Sequence, residues 1–162
     1  MTLLAFIFMG CNNSKKTEQA TDLNAPQAIE ASHDEDHDDD HHSTDDGLSN
    51  NWVHEIETDN GAKWEANPET NEGVLKMQNF LKTHSTNTLE DYYKLAEQLN
   101  DDKNYVVKNC TMQGASHDNL HIWLVPLMAK IEALSATQSL EEASSLKQSI
   151  EENINKYSDY FK

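Results

Sequence analysis

From Asn67 onward the apolar residues of this chain recur at intervals of three and four. That spacing collects them on one face of an α-helix. Asn67-Pro68 reads as an N-cap followed by proline at the first helical position, and Val74, Met77, Leu81 and His84 form the stripe of a first helix. Thr88 caps a second, with Leu89, Tyr92, Ala96, Leu99, Val106 and Cys110 on its stripe and the polar patch 100–103 weakening its middle. Gly114 is predicted to end it, as glycine commonly does. A third helix is predicted from Ser116, with His117, Leu120, Leu124, Leu127, Ile131 and Leu134 facing inward and His121 and Met128 flanking them. Pro126 lies inside it and should kink it, freeing the carbonyl of Ile122. Ser139-Leu-Glu-Glu142 reads as a capping box, and the fourth stripe is Ala143, Leu146, Ile150, Ile154, Tyr157 and Phe161. Four amphipathic helices with short connections predict an all-α fold, an up-down-up-down antiparallel four-helix bundle over residues 67–162.

Upstream the period changes. Trp52, His54 and Ile56 alternate with polar residues, Asp59-Asn60-Gly61 is a turn signal, and Ala62, Trp64 and Ala66 alternate again. A short β-hairpin over 51–66, packed on the bundle, is the expectation. Between 11 and 50 apolar residues are too sparse for a core, which predicts a disordered, acidic, His/Asp-rich tether. Residues 1–10 are apolar and uncharged. They are too few for a membrane span, which takes roughly 20 residues, and read as the end of a signal peptide. Gly10-Cys11 closes the run and Asn12-Asn13-Ser14 follows. This resembles a bacterial lipobox, which implies lipidation of Cys11. Cys110, the other cysteine, then has no partner in the chain.

Charge narrows the function. The formal net charge is −17 and the chain has no arginine. Phosphate neutralisation requires cations, so nucleic acid is not an expected partner. Residues 11–60 carry 14 acidic residues against 2 lysines, and residues 61–162 carry 15 against 10. The bundle is therefore only mildly acidic. Within the acidic stretch, His33, His37, His41 and His42 alternate with aspartates. Such a tract holds divalent cations weakly, or serves as a solvating spacer.

The topology decides which chemistry meets. In an antiparallel bundle the start of the first helix, the end of the second, the start of the third and the end of the fourth share one end. Trp64, Asn67, Cys110, Met112, His117, His121, Tyr157 and Tyr160 gather there. Thiolate and imidazole suit Zn(II), and with a thioether they suit Cu(I). The candidate metal ligands are thus Cys110, His117 and His121, with Met112 or Met77 as thioether. A packed helix junction is the plainer reading of the same residues, because cysteine and methionine commonly fill cores. A haem held by Met77 and His121, or a ligand-free interaction module presenting Trp52, Trp64, Tyr157 and Tyr160 to a periplasmic protein, are the alternatives. No Gly-x-Ser-x-Gly, phosphate-binding glycine loop or Cys-x-x-Cys-His occurs, and no acid/base pair or activated nucleophile stands out. The chain does not read as an enzyme.

Gly61-Ala-Lys-Trp64-x-x-Asn67 and Cys110-Thr-Met112-x-Gly114-x-x-His117-x-x-Leu120-His121 together resemble a group of small bacterial periplasmic lipoproteins. The resemblance covers Gly61 to Lys162. It implies an exported helical bundle, lipid-anchored in the cell envelope and facing the periplasm, and implies no particular activity.

The anchor has a direct test. Cys11→Ser is expected to move the protein from the membrane to the soluble fraction and to remove lipid mass from the N-terminal peptide. Unchanged fractionation with no lipid on that peptide would refute it.

Overall fold

The computed structural model describes residues 48–162. Cys11, the first ten residues and the histidines at 33, 37, 41 and 42 lie outside them. The described chain is helical: α1 spans Pro68–Thr83, α2 Leu89–Asn109, α3 Ala115–Ala136 and α4 Leu140–Tyr160. Each helix packs on the next in sequence, α1 also packs on α4, and α2 and α4 approach more lightly. Contacts at the helix ends fix the directions. At one end the start of α1 meets the ends of α2 and α4 through Asn67–Asn109 and Trp64–Lys162. At the other, His84 lies 2.9 Å from the Asp91 carbonyl, Lys147 donates to Thr86, and the Tyr93 hydroxyl donates to the Thr137 carbonyl. The helices therefore alternate in direction around one core.

Local signals place the helix starts. Thr88 and Asp91 form a reciprocal capping box at α2, satisfying two donors that the helix cannot satisfy internally. Ser139 accepts from Glu142 N at α4, but the Glu142 carboxylate does not return to Ser139 and takes the Thr137 hydroxyl instead. Asn67 precedes Pro68 as expected, yet its side chain does not cap α1. It accepts the Thr70 hydroxyl at 2.7 Å and the Thr111 amide at 3.4 Å, and donates to the Asn109 carbonyl at 3.1 Å. The residue that starts α1 also closes the end of α2.

Three expectations are corrected. There is no β-hairpin among the described residues. Asn51–His54 is a 3-10 turn, which puts Trp52 and Ile56 on one side and buries both. The turn at 59–62 does form, with Asn60 and Gly61 both at positive φ, 51° and 89°. The segment after it pairs in parallel with the chain's own C-terminus, Trp64 against Phe161, a partner that no local pattern announces. Second, α2 stops at Asn109 and not at Gly114. Asn109 Nδ2 donates to the Tyr105 carbonyl and Asn67 donates to the Asn109 carbonyl, so asparagine amides satisfy the final carbonyls. Gly114, at φ 60°, precedes α3 instead. Third, His117 is not a core residue. The inward face of α3 is Leu120, Trp123, Leu124, Leu127, Lys130, Ile131 and Leu134, and α3 runs through Pro126 as one helix.

Lys130 is the unexpected member of that face. It is 0 % exposed and donates to Asn50 Oδ1, which also accepts the Trp52 indole at 3.0 Å. Asn50 in turn donates to the Ser149 carbonyl and to Glu152, and Ser149 Oγ donates to the Leu48 carbonyl. Residues 48–52 thus form a strap over α3 and α4. Burial lowers the Lys130 ammonium to about 8, against an opposing pull from Glu152.

Two predictions follow from this packing. A Cβ on Gly73 would lie 2.4 Å from Val106 Cγ2. Overpacking of this kind costs about 1–3 kcal/mol against about 1 kcal/mol gained in helix propensity. Gly73→Ala should therefore lower the thermal midpoint by several degrees. For Lys130 the folded value lies below the ordinary 10.5. Below about pH 8 both folded and unfolded states hold the proton, and the folded state bears the full burial cost. Between there and pH 10.5 the folded state releases it first, so stability rises with pH. The stability of the parent should gain about 3 kcal/mol on that of Lys130→Met across this window, read by urea unfolding at stepped pH.

Candidate functional site

Of the predicted metal ligands, Cys110, His117 and His121 line one groove between α2 and α3 that begins at the Asn67 end of the bundle. Its volume is about 320 Å³. On α3, His117, His121 and Val125 follow at four-residue intervals and Met128 three residues later, which lines them along one side of the helix. Val106, Val107 and Cys110 face them from α2. Buried Val106, Leu120 and Leu124 make the floor, and exposed Val107, Val125 and Met128 make the rim. No carboxylate and no lysine lines it.

The two imidazoles are neighbours, with ring centroids 4.4 Å apart at an interplanar angle of 50°. The i,i+4 spacing causes this contact. His117 Nδ1 stands 3.9 Å from the exposed Asp118 carboxylate. Cys110 is a free thiol, partly buried. It sits where α2 gives way to extended chain, at φ −65° and ψ 123°. The Tyr157 phenol is pushed well above its ordinary range by burial and, less, by the charge of Cys110. Tyr157 donates to Asn71 Oδ1 at 2.9 Å and packs against Trp123 and Phe161. Cys110 packs against the core and lines the groove.

The sequence-predicted set is only partly assembled. Cys110, His117 and His121 share one groove, but no three of His, Cys, Asp and Glu converge into a metal-holding group among the described residues. Met112 packs against the core and does not line the groove. Met77 is wholly buried on α1 and does not line the groove, whereas His121 is exposed. The groove's thioether is Met128, which the sequence reading placed beside the stripe without a role. The aromatic residues expected to present a docking end are largely consumed within the fold: Trp52 and Tyr157 are buried, and Tyr160 packs edge-on against Trp52 at 5.9 Å.

No helix among the described residues is long and apolar enough to cross a membrane. No protein-family model, curated protein or solved structure matches this chain.

Proposed function

We propose that this is a lipid-anchored protein of the bacterial cell envelope that binds copper or zinc on its periplasmic side, as a buffer or a carrier. The observation that carries the reading is the groove itself: a thiol and two neighbouring imidazoles line one depression at the bundle end. These are metal donors, and only the thiol must lose a proton to bind. The His33, His37, His41 and His42 tract supplies weaker capture sites on the same chain. Lipidation at Cys11 would leave Cys110 available as ligand.

A second reading is favoured by the rim. Val107, Val125 and Met128 are exposed and apolar, and an apolar rim around a groove suits a protein contact. In that reading the imidazoles contribute polar contacts to a partner and no ion is needed.

Thermal unfolding separates the two. The full chain carrying Cys11→Ser and asparagine at positions 33, 37, 41 and 42 should bind one equivalent of metal under reducing conditions. A ligand held only by the folded state stabilises by about 2.7 kcal/mol at a hundredfold excess over Kd, which raises the midpoint by roughly ten degrees for a domain of this size. His117→Ala and His121→Ala should abolish that shift, and His84→Ala at the other end should not. Absence of any shift with either metal would leave the protein-contact reading.

A further inference from the structure

We infer that the strap and the turn after it, residues 48–56, are a releasable latch. They detach from α3 and α4 while the bundle stays folded, and the lysine buried beneath them, Lys130, makes that release easy. The inference concerns the side of α3 away from the groove and does not depend on what the groove binds.

The first observation is how the segment is held. The bonds that tie it to the two helices run through side chains. Ser149 Oγ donates to the Leu48 carbonyl at 2.8 Å, Asn50 Nδ2 donates to the Ser149 carbonyl and to Glu152, each at 3.2 Å, and Lys130 donates to Asn50 Oδ1. Its backbone-to-backbone bonds close within the segment, from Val53 to Asn50 and from Glu55 and Ile56 to Trp52. Buried Trp52 and Ile56 are its apolar anchors. The next residue is bolted down. The Glu57 amide donates to Asn119 Oδ1 at 2.7 Å, its carbonyl accepts the Trp64 indole at 2.7 Å, and Trp64 is itself paired with Phe161. Release therefore stops at Glu57.

The second observation is what the segment covers. Lys130 is wholly buried, and its hydrogen-bond partner is Asn50 of the strap. An ammonium carries three donors, and a buried charge is costly unless it is fully paired. The carboxylate that acts on it, Glu152, takes its hydrogen bonds from Asn50 and Gln148. Asn153 stands one turn along α4 from Ser149. It is wholly buried as well, and neither its Oδ1 nor its Nδ2 has a partner among the described residues. Polar groups buried in this way destabilise the closed arrangement. Lifting the segment returns the ammonium to water and so offsets part of the lost burial of Trp52 and Ile56. Segments with few apolar anchors and a polar underside are the ones that open locally. Release uncovers Lys130 and Ser149 and frees a stretch that extends to roughly 30 Å, so the bundle gains that reach from the chain preceding it.

The test is native-state hydrogen exchange on the full chain carrying Cys11→Ser, at pH 7 in sub-denaturing urea, with indole N–H signals followed by NMR. The Trp52 indole reports the latch through its bond to Asn50, and the Trp123 indole, bonded to the Asn153 carbonyl, reports the bundle. Trp52 should exchange at least about a hundredfold faster than Trp123 and with almost no urea dependence, while Trp123 carries the full dependence of unfolding. Ser149→Ala removes the bond to Leu48 and should speed Trp52 exchange several-fold. Lys130→Met removes the buried charge and leaves Trp52 its acceptor, so it should slow Trp52 exchange about tenfold. If the two indoles exchange at one rate with one urea dependence, the segment is part of the cooperative bundle and the inference fails. It fails equally if Ser149→Ala leaves Trp52 unchanged, or if Lys130→Met speeds its exchange, because the lysine is then a fastener.

Discussion

The Asn67 side chain is the constraint on which the candidate site depends. Helix ends leave backbone groups without internal partners, and three chain segments meet where those of α1 and α2 must be satisfied. Asn67 meets the demand of α2 by donating to the Asn109 carbonyl, while its amide oxygen accepts from the Thr70 hydroxyl on α1 and the Thr111 amide of the connection. The consequence is positional. With α2 closed at Asn109, Cys110 becomes the first residue of an extended connection, and the chain reaches Gly114 in time to start α3 beside it. The parallel pairing of Trp64 with Phe161 adds the end of α4 to the same junction, and Tyr157 packs there with Trp123 and Phe161. The donors are thus held by elements tied together at their ends.

The groove itself arises from an excess of apolar surface on α3. Leu120, Trp123, Leu124, Leu127, Ile131 and Leu134 are enough to bury one face, and Trp123 gives its indole N–H to the Asn153 carbonyl at 3.0 Å inside the bundle. Val125 and Met128 remain outside, on the side of α3 that also carries His121. α2 mirrors this: Val106 is buried and adjacent Val107 is exposed. Two helices with more apolar surface than the core takes up leave a lined depression between them. Buried Val106, Leu120 and Leu124 back the half-buried Cys110 and His117, while His121 and Met128 lie exposed along its edge.

The helix starts were legible because Pro68 follows Asn67 at α1 and because Thr88 and Ser139 each accept an amide three residues on; the Asn67 side chain itself does not cap, and the Glu142 half of the Ser139 box is absent. The end of α2 was not legible, because its cap comes from Asn67, forty-two positions away in sequence. That single error decided which methionine was chosen. A helix running to Gly114 would carry Met112 on its last turn; one ending at Asn109 leaves Met112 in the connection, packed on the core. The β-hairpin failed for a related reason, since the strand partner of Trp64 is the far terminus of the chain. On α3 the periodicity named His117 as a core residue because apolar residues surround most of that helix, and spacing alone then fails to fix which face turns inward. Lys130 was invisible, since lysine is rarely buried without a partner, and its partner Asn50 lay in a stretch with too few apolar residues to suggest docking. Cys110, His117 and His121 themselves were legible, because the alternation of helix direction alone brings their ends together.

Lys130 and Met128 show how one helix serves two surfaces. They are two residues apart, so about 200° separates them around the axis of α3. Lys130 points toward the strap and α4, where Asn50 holds it and Leu48 is bonded to Ser149; Met128 points toward α2 and the groove. The strap of residues 48–52 therefore occupies the side of α3 opposite the groove. A charge buried at one lysine is a cost that a bundle does not need for stability alone. What that lysine does accomplish here is to hold the Asn50 carbonyl oxygen, which also takes the Trp52 indole, and so to fix where the strap leaves the bundle.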